Sequence, residues 1–188
     1  VNSSLIKEFR NKVNGNVFFA IHKYKDRGGK NHWNIICSCM DWIDVAIDYI
    51  ENHEIENENI NIKSMQAYTY ISAINIIWES VLQLHRVIIN RKSIPFKNQN
   101  TIFSGNKISK DDNEYFKHIR AIFGAHPVNI NDNERKMYAS WPTEKIHVEF
   151  DFAVRLYSLD VDERDRVFGY TFKELNKFLE TRYNYLKV

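Results

Sequence analysis

Residues 33–50 read WNIICSCMDWIDVAIDYI. Trp33, Ile36, Met40, Ile43, Ile47 and Ile50 recur three and four positions apart. Side chains at that spacing share one face of an α-helix and pack against neighbouring helices at a shallow angle. Asp41, Asp44, Asp48 and Glu51 fall on the opposite face. An Asn- and Glu-rich loop over 52–61 ends this helix. The pattern then repeats at greater length. Ala67, Ile71, Ile74, Trp78, Val81, His85 and Ile88 predict a helix over 64–90, on the order of 40 Å long. Two such helices joined by a short polar loop predict an antiparallel hairpin within a helical bundle.

The flanking segments extend this picture. Ser3 and Ser4 offer a cap for a first helix, whose Leu5, Phe9 and Val13 recur every four residues. Gly15 allows a kink, and Val17, Phe18, Ile21 and Tyr24 carry the apolar face onward. The basic stretch Lys23 to Lys30, with Gly28-Gly29 inside it, reads as the first loop, and Arg91 to Gly105, with Pro95, as another. Asp111 with Glu114 three residues on predicts a capped helix carrying Tyr115, Phe116, Ile119, Ile122 and Phe123 inward. Gly124 suits the left-handed position that ends a helix.

The period then changes. Ile146, Val148, Phe150, Phe152, Val154 and Leu156 alternate with polar or small residues, the signature of a half-buried strand. Met137, Ala139 and Trp141 alternate too, and Pro142 to Lys145 can connect the two as a hairpin. Thr171-Phe-Lys-Glu174 is a capping box opening a last helix with Leu175, Phe178, Leu179 and Leu186 on its apolar face. The expected fold is mainly α: an antiparallel helical bundle with a small C-terminal β hairpin and a final helix. Residues 1–130 form the bundle, and 131–188 pack on it within a single compact unit.

Bulk properties agree with a folded, soluble chain. Of 188 residues, 44% are hydrophobic, and twelve Phe, ten Tyr and four Trp supply large core pieces. Six Gly and three Pro are too few for a turn-rich all-β fold. A formal charge of +2 does not by itself predict nucleic-acid binding, though it allows a local basic patch. Cys37 and Cys39, two apart on a helix, point about 200° away from each other and read as reduced thiols, with no further Cys for a zinc site. Lys7, Glu8, Arg10 and Lys12 interrupt the first residues, against a signal peptide, and no apolar run has the roughly 20 residues of a membrane helix. These features point to a cytoplasmic protein without a membrane span.

The candidate chemistry lies in HIRAIFGAHPVNI, residues 118–130. Arg120 stays charged and can grip two phosphate oxygens at once. His126, beside Pro127, can move a proton near neutral pH. Together they suffice for RNA cleavage without a metal or other cofactor. A base takes the ribose 2′-hydroxyl proton, the oxygen attacks the adjacent phosphorus, and the guanidinium stabilises the crowded phosphate. The spacing predicts Arg120 on the last turn of a helix and His126 just beyond it. The structural alternative is an Arg drawn to the negative end of a helix dipole and a loop His beside a Pro.

Arg120 to His126 is an R-x5-H, and the phrase IRAIFGAHP at the end of an amphipathic helix resembles the R-x(4–6)-H signature of the HEPN superfamily. The helical hairpin over 31–90 is also similar to that superfamily's α-helical bundle, so the resemblance covers roughly residues 1–130. It implies a metal-independent endoribonuclease of prokaryotic defence or toxin–antitoxin systems, acting on RNA as a homodimer whose two motifs line one cleft. It also implies Arg120 as the phosphate-binding residue and His126 as the general acid/base. An antitoxin or other protein partner is a further expectation. Ala121 stands where active members often carry Asn, Asp or His. That departure motivates the alternative, a non-catalytic HEPN-like module that binds a protein partner or a nucleotide.

Other residues compete less well. His85 takes a seam position where Ile or Leu is expected, either as a buried, hydrogen-bonded His or as part of the same cleft as His126. His118 lies four residues after Glu114, spaced for an ion pair; partners for a metal site are not evident. Trp33 and Trp141 could stack on bases, but core or hairpin packing is the simpler account. No phosphate-binding glycine loop, dinucleotide fingerprint, Gly-x-Ser-x-Gly or zinc-protease motif occurs.

Overall fold

The computed structural model describes residues 1–55, 57–89, 92–103, 111–125, 127–132, 135–141 and 149–188. His126, the Pro142 to Lys145 connection, Ile146 and Val148 lie outside the described residues. The chain is mainly helical, with one small antiparallel sheet and a helix near its C-terminus. The helices are α1 (Ser4–Gly15), α2 (Val17–Tyr24), α3 (His32–Glu51), α4 (Ile60–Ile88), α5 (Asp112–Arg120) and α6 (Phe172–Tyr183). A π-helical turn, Ala121–Ala125, prolongs α5, and a 3₁₀ turn, Asn184–Lys187, follows α6. Among the described residues no helix is long and apolar enough to cross a membrane.

The chain divides into two compact units. The first takes Val1–His53, Ala73–Pro95 and Leu179–Val188; the second takes Glu54–Ser72 and Phe96–Phe178. Helices α4 and α6 thus each supply residues to both.

In the first unit the predicted seam of α3 is buried at Ile36, Met40, Ile43 and Ile47. Its acidic outer face is not wholly given to water, because Arg10 of α1 reaches Asp41 at 2.9 Å and Asp44 at 3.7 Å. Ala73, Ile74, Ile77, Trp78, Val81 and His85 bury the corresponding stripe of α4. The basic loop turns at Gly28 and Gly29, whose φ of 66° and 71° only glycine adopts cheaply. Two N-terminal expectations change. Ser3 makes no side-chain cap on α1. Asn2 Oδ1 accepts the Ser4 N–H instead, and the Tyr183 hydroxyl, 177 residues away in sequence, accepts the Ile6 N–H at 3.0 Å. Phe18, placed by the periodicity on the apolar face, is 88% exposed, while Ala20 and Tyr24 are buried.

The second unit is built on aromatic rings. Phe116 stacks on Phe178 at 4.3 Å, Phe103 lies 4.9 Å from Tyr115, and Phe123 meets Tyr170 edge-on at 4.7 Å. The sheet has four strands rather than a hairpin's two: β1 (Ile130–Asp132), β2 (Arg135–Ser140), β3 (Phe152–Ser158) and β4 (Arg166–Tyr170), in that order and all antiparallel. The hairpin expected from the alternation is present as β2 and β3, with Met137 opposite Ser158 and Ala139 opposite Leu156. Phe152, Val154 and Leu156 point inward, as period two requires. Phe150 stands before the strand, its ring against Gly169. That contact explains why Phe168, Gly169 and Tyr170 are all buried: the end of β4 is covered on both faces. The Thr171–Glu174 capping box forms as predicted, with Glu174 N–H donating to Thr171 Oγ1 at 3.2 Å and Thr171 Oγ1 donating back to Glu174 Oε2 at 2.9 Å.

Candidate functional site on the fifth helix

The start of α5 is fixed by two adjacent carboxylates. Asp111 caps the helix, accepting the Glu114 N–H at 2.9 Å, and also accepts the Asn98 N–H at 3.0 Å. Burial alone would push the Asp111 carboxyl up. Donation from the Glu114, Asn98 and Asn113 backbones, helped by Lys117, outweighs that and holds it below its ordinary value. Asp112 is fully buried and accepts the N–H groups of Thr101, Ile102 and Phe103 at 3.0, 3.3 and 3.3 Å. The loop before α5 is therefore wrapped around the helix's first turn. Sequence reasoning missed Asp112; the acidic doublet is the signal that pointed to it.

Beyond that anchor, Tyr115, Phe116 and Ile119 face inward and Arg120 faces water. Glu114, one and a half turns earlier, is occupied by Lys117 at 2.7 Å. Among the described residues no carboxylate pairs with Arg120.

The helix does not stop at Gly124 as the sequence suggested. Its φ is not positive, and it lies inside the π turn. A Cβ at this position would come within 3.2 Å of the Tyr68 ring, so close approach to α4 is what the glycine permits. Arg120 is the last residue of α5, as the spacing predicts, and the π turn carries the chain on to Ala125.

The π turn also has a geometric consequence. Its hydrogen bonds join residues five apart, where an α-helix joins residues four apart. Residue i+5 therefore stacks near residue i, so Ala125 falls on the face of Arg120. Burial follows that arrangement: Arg120 and Ala125 are exposed while Ile122 and Phe123 between them are buried. Position 126 is the next in the chain. On its other side, the Pro127 carbonyl accepts the Ala139 N–H of β2 at 2.6 Å. No local sequence signal announces the π turn.

The remaining candidates fall elsewhere. His118 sets its ring edge-on to Phe168 at 5.2 Å, and the partner found for Glu114 is Lys117. His85 belongs to the first unit and is buried; its Nδ1 lies 3.0 Å from the Tyr185 hydroxyl and its Nε2 2.7 Å from Ser93 Oγ. Trp141 packs edge-on against Phe123 and Phe152, a hairpin-packing role. Cys37 and Cys39 are free thiols, the latter pushed up to about 11 by burial. Among the described residues no group of three or more His, Cys, Asp or Glu could hold a metal ion. No family model, characterised protein or solved structure matches the chain.

Proposed function

We propose that the chain is a metal-independent endoribonuclease of HEPN type, with Arg120 binding the scissile phosphate and His126 moving the proton. The observation that supports this is the π turn after Arg120: Arg120 and Ala125, the residue preceding His126, are both exposed, and among the described residues no carboxylate pairs with Arg120. In the proposed step a general base takes the 2′-hydroxyl proton and O2′ attacks phosphorus. The 5′-oxygen leaves as it is protonated, giving a 2′,3′-cyclic phosphate and a 5′-hydroxyl. Arg120 neutralises the charge that gathers on the phosphate oxygens. A homodimer that lines one cleft with two such motifs, in a prokaryotic defence or toxin setting, belongs to the same proposal.

The test is cleavage of labelled RNA in EDTA. Arg120→Ala and His126→Ala should each lower the rate at least about 100-fold without changing the melting temperature. Unchanged cleavage by both variants would sink the proposal. Ala121 favours a second reading, a non-catalytic module that binds a nucleotide or protein partner. It predicts RNA or nucleotide retention without turnover, weakened by Arg120→Ala alone.

A further inference from the structure

A cavity of about 430 Å³ lies within the first unit. That volume falls in the range of about 300–1,000 Å³ typical of small-molecule sites. Its wall is apolar, built from Phe9, Ile36, Val81, Leu84 and Leu186, which come from α1, α3, α4 and the terminal 3₁₀ turn. His85, Tyr185, Tyr24 and Asn16 add polar groups to it; both His85 ring nitrogens already face hydroxyls, and Asn16 donates to the Lys12 carbonyl at 2.9 Å. The wall is thus mostly apolar.

The mouth is different. Among the described residues the charged side chains of the lining are Lys12 and Lys187, with no Asp or Glu. A third cation, Lys23, stands 5.4 Å from the ring centroids of both Phe19 and Tyr24, which also line the cavity. The nearby acid Glu8 holds Lys12 at 3.0 Å, but both side chains are well exposed, and such a pair gives way to a better-placed anion at little cost. Phe19 and Ile89, 63% and 51% exposed, leave apolar surface at the edge of the same cavity.

We propose that this cavity binds a small amphipathic acid, with its hydrocarbon tail against the apolar wall and its carboxylate among the lysines at the mouth. Apolar area drives entry, and the sign of the rim selects the headgroup. The proposal does not rest on the ribonuclease reading, since the cavity's lining belongs to the first unit and Arg120 to the second.

Calorimetric titration of the full chain with decanoate, 1-decanol and decyltrimethylammonium tests it. Decanoate should bind saturably at one site, at least about ten-fold tighter than decyltrimethylammonium. The double variant Lys12→Glu/Lys187→Glu changes two exposed residues and should retain its circular-dichroism spectrum. It should lose about ten-fold or more in decanoate affinity while keeping decanol within about three-fold. Val13→Trp, which fills the cavity from a half-buried position on α1, should abolish binding of both. Four results would overturn the proposal: no saturable decanoate binding, equal binding of the cationic amphiphile, indifference to either variant, or a concentration-dependent dimer that excludes decanoate.

Discussion

Asp111 and Asp112 divide the work of one helix start between two neighbouring carboxylates. Asp112 is wholly enclosed and ties down three loop amides, while Asp111 caps α5 and holds Asn98. Because the folded Asp111 carboxyl sits below its ordinary value, its share of stability is present above the unfolded value near pH 3.9. That share is lost as pH falls through the folded value. Asp111→Asn keeps an acceptor for the cap but turns an amide donor toward one of these backbone N–H groups. It should cost about 1–2 kcal/mol at neutral pH. Urea titrations at pH 7 and pH 3 should show this gap shrinking in acid. A gap that stays constant would mean that the charge plays no part.

The end of β4 shows how an element can carry a constraint its own sequence does not display. RVFGY offers little alternation, and only the ring of Phe150 makes sense of Gly169. A Cβ added at Gly169 would lie 2.3 Å from Phe150 Cγ, far inside contact distance. Gly169→Ala should therefore destabilise by about 1–3 kcal/mol. In a Phe150→Ala background the same change should be neutral or favourable, since Gly is costly in a strand. Strict additivity of the two substitutions in a double-mutant cycle would remove this account. The longer elements were easier to anticipate. The seam of α3 and α4 and the alternation of β3 needed only local periodicity. β1 has three residues and β4 five, too few for a period to register.

Across the whole molecule, residues far apart in sequence complete each other's termini. Tyr183 accepts the Ile6 N–H, one of the orphan donors of the first turn of α1, and donates to the Asn2 carbonyl at 2.8 Å. Tyr183→Phe should cost about 1–2 kcal/mol by leaving that buried amide unmet. Burial, with Glu51 and Asp44 adding and the Ile6 N–H opposing, pushes the Tyr183 phenol up to about 12. Its contribution is thus present below about pH 10 and fades as pH rises toward the folded value. Thermal melts of both proteins from pH 8 to 11 should show the difference narrowing at the alkaline end. Equal melting temperatures at pH 8 would rule out the cap.

The helical class, the two long amphipathic helices, the α5 cap, the capping box of α6 and the central strand pair were legible from residue order. Each follows from a period or from a pair a few positions apart, and such interactions are settled within one element. The place of Arg120, exposed at the end of α5, was legible for the same reason. The π turn beside it, the glycine that serves contact rather than chirality, the tyrosine cap on α1 and the lysine-rimmed cavity were not. Each depends on which distant side chain arrives at a given backbone group or wall. Close packing decides that jointly for many residues, and no local pattern records the outcome.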